Sequence, residues 1–433
     1  MNAITIGLVG AGTIGGGVVK LLHAQTGRLR ELSGVSCVLR RIADTVPARF
    51  AKLPLEGVIC STSADDIIND PEIQIVIELV GGTGFARDLI LRAIDKGKHV
   101  ITANKALIAE FGTQIFDAAR KKGVAVYFEA SVGGGMPVIK TIREALVGNN
   151  ILSVKTIING TCNYILTQMS QHNLAFATAL DQAQKNGYAE ADPALDIGGG
   201  DSGHKVAVMG SLIYGGYVPY NKIGIEGITG ITADDIAFAS DMGYCIKLLG
   251  VLKKSPDSTL VDVRVHPALL HKDHILASVN DVFNAVLLEG DAVGKILLYG
   301  RGAGELPTAS AVLSDIVDVC RNIASECAQR IPMDYYRQDC ELSLVPLSEI
   351  ESRYYLCFYV VDRPNVLASI ATVLGGNSIS IASVMQREAN DGARVPVVII
   401  THRSKESKLR AALSAIEKQD YIKGPTQVIR IEE

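Results

Sequence analysis

Residues 186–210 read NGYAEADPALDIGGGDSGHKVAVMG. This short, glycine-broken stretch carries four carboxylates, Glu190, Asp192, Asp196 and Asp201, and one lysine, Lys205, just before the apolar run 206–209. Asp201 and Lys205 are four residues apart at the start of an expected helix, so both side chains leave from one face. An ammonium and carboxylates held against apolar surface form a site where charge can do chemistry. Taken alone, the same spacing also describes a helix cap with a surface ion pair, and the rest of the chain has to decide between the two.

The elements that must position these residues begin with a buried-type strand, Ile4–Val9. It runs into Gly10-Ala-Gly12-Thr13-Ile14-Gly15 and then a helical run. Strand before and helix after is the setting in which G-x-G-x-x-G binds a dinucleotide. The first glycine makes the tight turn, the second admits the pyrophosphate, and the third lets helix pack on strand. A second strand, 35–43, ends in Arg40-Arg41-Ile-Ala-Asp44. Arginines there suit a 2′-phosphate, so NADP is the favoured cofactor and NAD the alternative. Strands at 73–80, 98–102 and 124–130 alternate with helices at 85–96 and 106–122, the signature of a Rossmann-type doubly wound parallel sheet. Ligands gather at the carboxyl ends of such strands. Gly81-Gly82 and Asn104-Lys105 fall there, which makes Lys105 a candidate site residue. Lys96 and Lys98 lie near strand starts and are expected to be solvated.

A chain of 433 residues exceeds one ordinary core, so several domains are expected. The net charge of −4 with no basic block points away from nucleic acid. No apolar run reaches membrane-spanning length, and the first residues lack the pattern of a secretory signal. The eight cysteines are scattered without a C-x-x-C pair. Cys320 and Cys327 are expected to be small core residues, and a reducing cytoplasm is the expected compartment.

Residues 129–137, EASVGGGMP, form a glycine-rich turn whose carbonyls and carboxylate could hold a hard cation through oxygen. An ordinary strand-to-helix loop explains the residues equally well. Strand 151–158 leads to Asn159-Gly-Thr161 and a helix, with Thr161 as a natural cap. From 261 to 299 four segments, VDVRVHPALL, HILASV, FNAVLLEG and GKILLYG, read as strands of a mixed sheet.

On these strings the chain resembles the homoserine dehydrogenases. The matching residues are GLVGAGTIGGG (7–17), TANKALIA (102–109), EASVGGGMPVI (129–139), NGTCNYIL (159–166), GYAEADPALDIGGGDSGHK (187–205) and GRGAGELPTASAVLSDI (300–316). The resemblance implies NAD(P)H-dependent reduction of L-aspartate 4-semialdehyde to L-homoserine, and the reverse. It implies Lys205 as proton donor to the aldehyde oxygen, with Lys105 assisting beside the nicotinamide. Glu190 and Asp201 would hold the substrate's amine and hydroxyl, and Gly187 and Gly302 would lie with the cofactor. It also implies sodium or another monovalent cation at Glu129 and the carbonyls of Val132, Gly134 and Met136, and a homodimer or homotetramer built through the middle sheet. An ammonium beside a carbonyl that gains negative charge both stabilises and protonates it, and a neighbouring lysine in a sequestered site lowers a lysine's pKa.

The expected domains are a nucleotide-binding domain at 1–135, completed by a helix at 305–330, and an α+β substrate and dimerisation domain at 136–304. A linker at 329–352 and a C-terminal βαββαβ domain at 353–433 follow. VVDRPNVLASIATVLGGNSISIASVMQ resembles an ACT domain, the amino-acid-sensing module, which would make an amino acid, threonine first, the effector. Asn365 stands where glycine is usual, and asparagine tolerates left-handed backbone. Two other classes compete. A semialdehyde dehydrogenase would need a nucleophilic cysteine, for which only Cys162 lies near the site strings. A non-catalytic sensor would not need Lys105, Glu190, Asp201 and Lys205 together.

Overall fold

The computed structural model describes residues 3–254, 260–327, 330–332, 341–386 and 394–433. Residues 328–329 of the expected 305–330 helix, and residues 329 and 333–340 of the expected linker, lie outside them.

The first sheet comprises β1 (Ile4–Val9), β2 (Cys37–Ala43), β3 (Ile59–Ser61), β4 (Ile75–Glu78), β5 (His99–Thr102) and β6 (Val126–Tyr127). Its order is β3-β2-β1-β4-β5-β6, parallel throughout. Helices cover both faces, which is why the central strands are near-continuous apolar runs. The order reverses between β1 and β4, and this places a ligand crevice at their carboxyl ends. The helix Glu305–Ala324 returns to pack on the helix Thr13–Ala24. Gly17 permits that approach, since a Cβ there would meet the Glu305 carbonyl oxygen at 3.0 Å.

Several expectations change here. Lys98 is buried, not solvated, and its Nζ donates to the carbonyls of Asp70 and Ile73. Cys327 is exposed, whereas Cys320 is buried. The strand expected at 124–130 stops at Tyr127, because the Glu129 N–H donates to Asp315 Oδ2 and leaves the ladder.

The second sheet takes β7 (Ile151–Ile157), β8 (Gly224–Ile225), β9 (Tyr244–Lys253), β10 (Asp262–His271), β11 (Phe283–Gly290) and β12 (Gly294–Arg301). It then continues into β13 (Glu351–Val360), β14 (Ile381–Gln386), β15 (Val395–Thr401), β16 (Ser404–Lys405) and β17 (Gln427–Glu432). The path is β12-β11-β7-β9-β10-β17-β13-β15-β14, with β8 on β10 and β16 on β13. Segment HILASV is not a strand; it holds a 3₁₀ turn, Ile275–Ser278, in which His274 Nδ1 accepts the Leu276 N–H. The C-terminal elements follow the βαββαβ order, with helices Val366–Gly376 and Glu406–Ile416. They are joined to the middle sheet edge to edge, since β17 pairs in parallel with β10, Ala268 opposite Arg430 and Leu270 opposite Glu432. Asn365 adopts φ 71° directly before its helix, the left-handed conformation that asparagine accepts. No helix of the described residues is long and apolar enough to cross a membrane.

Candidate active site

Asp201 and Lys205 lie in the first turns of the helix Gly200–Tyr214 and are both buried. Lys205 Nζ is 2.7 Å from Asp201 Oδ2 and donates to the Ile158 carbonyl at 2.8 Å. A surface ion pair is therefore excluded. Lys105 opens the helix Lys105–Lys122 at the carboxyl end of β5, and its Nζ lies 3.0 Å from Asp201 Oδ1. One turn on, the same two helices meet again, with His204 Nε2 3.2 Å from Glu110 Oε1.

The electrostatics follow from this packing. Burial pushes the Asp201 carboxyl up, but Lys205 and Lys105 outweigh it and hold the group well below the usual carboxylate range. Burial pulls Lys105 down, and the Asp201 charge overcomes it, so its pKa is raised. For Asp196, burial and then the Asp201 charge raise the pKa. Asn159 ties the group together. Its side-chain oxygen caps the helix Gly160–His172 by accepting the Cys162 N–H, and its Nδ2 donates to Asp196 at 2.7 Å and Asp201 at 2.9 Å. The cap is thus Asn159, not Thr161, whose hydroxyl goes to the Tyr188 carbonyl instead.

These residues line a cleft of about 480 Å³ between the two sheets' domains. Ile14, Lys105, Gly187, Glu190, Asp201, Lys205 and Gly302 all reach it, as does Gly134 of the glycine-rich turn. Asp192 is exposed and does not line it. Three further residues on the wall escaped the sequence reading: Asn159, Asn284 and Arg301. Arg301 sits inside the quoted glycine string, but Asn284 carries no local signal. Its placement shows only through Gly302, where a Cβ would fall 1.3 Å from Asn284 Oδ1.

Across the glycine loop lies a second cavity of about 570 Å³, lined by Gly10, Gly12, Asp44, Arg49, Asp65 and Arg92 among others. Thr13 starts the intervening helix, and Gly15 has no room for a side chain, since a Cβ would lie 1.9 Å from the Gly10 carbonyl oxygen. Two cavities flanking a helix N-terminus fit the two halves of a dinucleotide. Arg40 and Arg41 do not reach the second cavity. Both guanidiniums pair with the buried Asp70, at 3.0 and 2.6 Å, and Arg40 also pairs with Glu72. They lie upstream of the strand's carboxyl end, so the two residues expected at a 2′-phosphate are here paired with acids. Asp44 occupies that end. Burial would raise its pKa, but the N–H groups of Val46 and Ala11 and the Arg49 guanidinium hold it below the ordinary range.

At the expected cation loop, the Glu129 carboxylate is buried and accepts the N–H groups of Ile139 and Lys140 at 2.9 and 2.8 Å. Burial pushes its pKa up to about 7, against the pull of those N–H groups. Val132 and Met136 are buried beside it, and Gly134 packs against Gly302. Oxygen donors of this kind are the type a hard monovalent ion takes, but the Met136 carbonyl already accepts the Val138 N–H.

Comparison with known proteins agrees with this geometry. Residues 137–317 match the family model for homoserine dehydrogenase, and residues 10–129 match that for the homoserine dehydrogenase NAD-binding domain. The homoserine dehydrogenase of Pseudomonas aeruginosa is 41% identical over 100% of both chains. That of Neisseria gonorrhoeae is 40% identical over 100% of this chain and 99% of its own. A crystal structure of a homoserine dehydrogenase from Thiobacillus denitrificans superposes with a TM-score of 0.94 at 40% identity, covering 100% of this chain and 99% of that one. A dinucleotide loop, a doubly held aspartate at the junction of two domains, and similarity along the whole chain converge: this chain belongs to the homoserine dehydrogenases, NAD(P)-dependent oxidoreductases.

Proposed function

We propose that the cleft interconverts L-aspartate 4-semialdehyde and L-homoserine, with Lys205 as the proton donor to the carbonyl oxygen. The observation that carries the assignment is Asp201, buried between Lys205 and Lys105. The bound nicotinamide supplies or accepts the hydride. The chain's own groups do the rest. Lys205 lies at the cleft wall with its ammonium oriented by Asp201 and the Ile158 carbonyl. Lys105 brings a second positive charge from the other domain to where negative charge develops. Glu190, exposed on the cleft rim, supplies a carboxylate for the substrate ammonium. The test is absorbance at the reduced-nicotinamide band with L-homoserine and either cofactor. No change with both sinks the assignment.

The competing readings lose ground on particular residues. The Cys162 thiol is buried and pushed far up by burial and by Asp196, the reverse of an activated nucleophile. A binding-only module would gain nothing from two lysines on one carboxylate.

Four finer readings belong to the same proposal. NAD is the better fit of the two cofactors, because Arg49 and Arg92 in the second cavity are already paired with Asp44 and Asp65. That leaves no surplus positive charge there for a phosphate. Sodium or potassium at Glu129 would brace the loop against Gly302. The C-terminal domain, 353–433, is read as an ACT domain with threonine as first-choice effector, and the outer strand β12, with Tyr299 exposed, as the edge through which a dimer or tetramer forms.

A further inference from the structure

The loop that carries the cleft's acids is propped from behind by the C-terminal strand. Asp196 and Asp201 flank residues 197–200. Against these lies the segment that follows β8. The Ile228 N–H donates to the Ile197 carbonyl at 2.8 Å. A Cβ on Gly227 would lie 2.1 Å from that same oxygen, and one on Gly199 would lie 3.3 Å from the Glu226 carbonyl oxygen. The contact is backbone on backbone and cannot slide without loss. Glu226 itself is anchored at both ends. Its N–H donates to the Val265 carbonyl at 2.8 Å. Its carboxylate receives Arg430 Nη1 and Nη2 at 2.9 and 3.0 Å. Arg430 is 2% exposed, belongs to β17, and is fixed from its other side by Glu406.

We infer that Arg430 and Glu226 are positioning residues for the substrate: the C-terminal strand sets where the 196–201 loop stands, and so where Asp196 and Asp201 meet the lysine from the nucleotide domain. A bidentate guanidinium–carboxylate pair fixes orientation as well as distance, and here it fixes the backbone that the loop rests on. The inference rests on the reading of the cleft given above. It also makes β17 a direct route from residues 353–433 to the acids, because Arg430 grips Glu226.

The side chain of Glu226 is 40% exposed and Arg430 keeps Glu406, so Glu226→Gln should fold. With this variant the KM for L-homoserine should rise about threefold to tenfold, the range of coupling for residues acting through a neighbour. The KM for the cofactor should stay unchanged, and Glu226→Asp should recover part of the loss. A second readout needs no activity: amide hydrogen exchange of residues 197–203 should speed up, while that of β1, β4 and β5 stays constant. Equal changes in both KM values, or unaltered exchange at 197–203, would overturn the inference. Failure of the wild type to oxidise homoserine would instead overturn the reading of the cleft, with the exchange arm still deciding the prop.

Discussion

Lys105 and Lys205 hold opposite oxygens of one carboxylate: Asp201 Oδ1 lies 3.0 Å from the first and Oδ2 2.7 Å from the second. One lysine comes from the nucleotide domain and the other from the substrate domain, so the aspartate also fixes how the two halves of the site face each other. Replacing Lys205 with alanine should lower kcat by about 10² or more, since general acid catalysis is typically worth that much. Cofactor affinity, read by fluorescence titration, should hardly move. Turnover close to the wild type would remove Lys205 from the mechanism.

The cofactor prediction follows from Asp70. With Arg40 and Arg41 both engaged by it, the double variant Arg40→Ala/Arg41→Ala should leave the ratio of kcat/KM for NAD and NADP unchanged. Arg49→Ala acts inside the cavity and should shift that ratio. A collapse of NADP use in the double variant alone would show that the arginines leave Asp70 to bind phosphate.

Gly302 is confined by Asn284. Gly302→Ala puts a methyl group 1.3 Å from Asn284 Oδ1 in the cleft wall, and overpacking of this kind costs about 1–3 kcal/mol. Thermal unfolding should register that loss, and kcat/KM should fall about tenfold. Adding Asn284→Gly should restore part of the stability. A Gly302→Ala enzyme that melts and turns over normally would mean that the loop stands clear of Asn284.

The cation reading predicts a specific salt response. Exchange into a large organic cation should reduce activity, and millimolar sodium should recover it, whereas Glu129→Gln should abolish the response. Equal activity in sodium and in the organic cation counts against a functional ion.

Lys247 gives a pH dependence. Its Nζ is buried under Val279 and Asn280, and burial lowers its pKa from 10.5 to about 8. Between those values the unfolded chain binds the proton and the folded chain does not, so this group makes stability rise with pH through that window, by on the order of 3 kcal/mol. In Lys247→Met, denaturant unfolding between pH 8 and 10 should lose that slope. An unchanged slope would mean that the lysine stays charged when folded.

The first sheet could be read from sequence because its signals are local. A glycine loop sits between one strand and one helix, and Lys105 follows a strand end. Helical spacing put Asp201 and Lys205 on one face but left a surface ion pair open, until the resemblance along the chain weighed against it. What stayed hidden was tertiary. Nothing near Arg40 and Arg41 announces that Asp70, some thirty residues on, will claim them. Lys98 looked solvated because its acceptors are carbonyls, which carry no sequence identity. Asn159 read as half of a turn, yet its two-ended amide both caps a helix and binds two acids. The pairing of β17 with β10 is less visible still, since alternation describes each strand but not its neighbour.

That pairing has a consequence in time. β10 ends at His271, and its parallel neighbour β17 begins only at Gln427. A ribosome therefore finishes Lys105, Lys205, the acids and most of the middle sheet long before it makes the strand that pairs with β10. Until then the Ala268–Leu270 edge is open, the kind of edge that pairs with other chains, and contacts this far apart in sequence form slowly. Arg264, which in the finished fold meets Glu432 at 2.7 Å, waits for the same strand. A chain stopped near Leu342 would keep every residue of the cleft and leave that edge open for good.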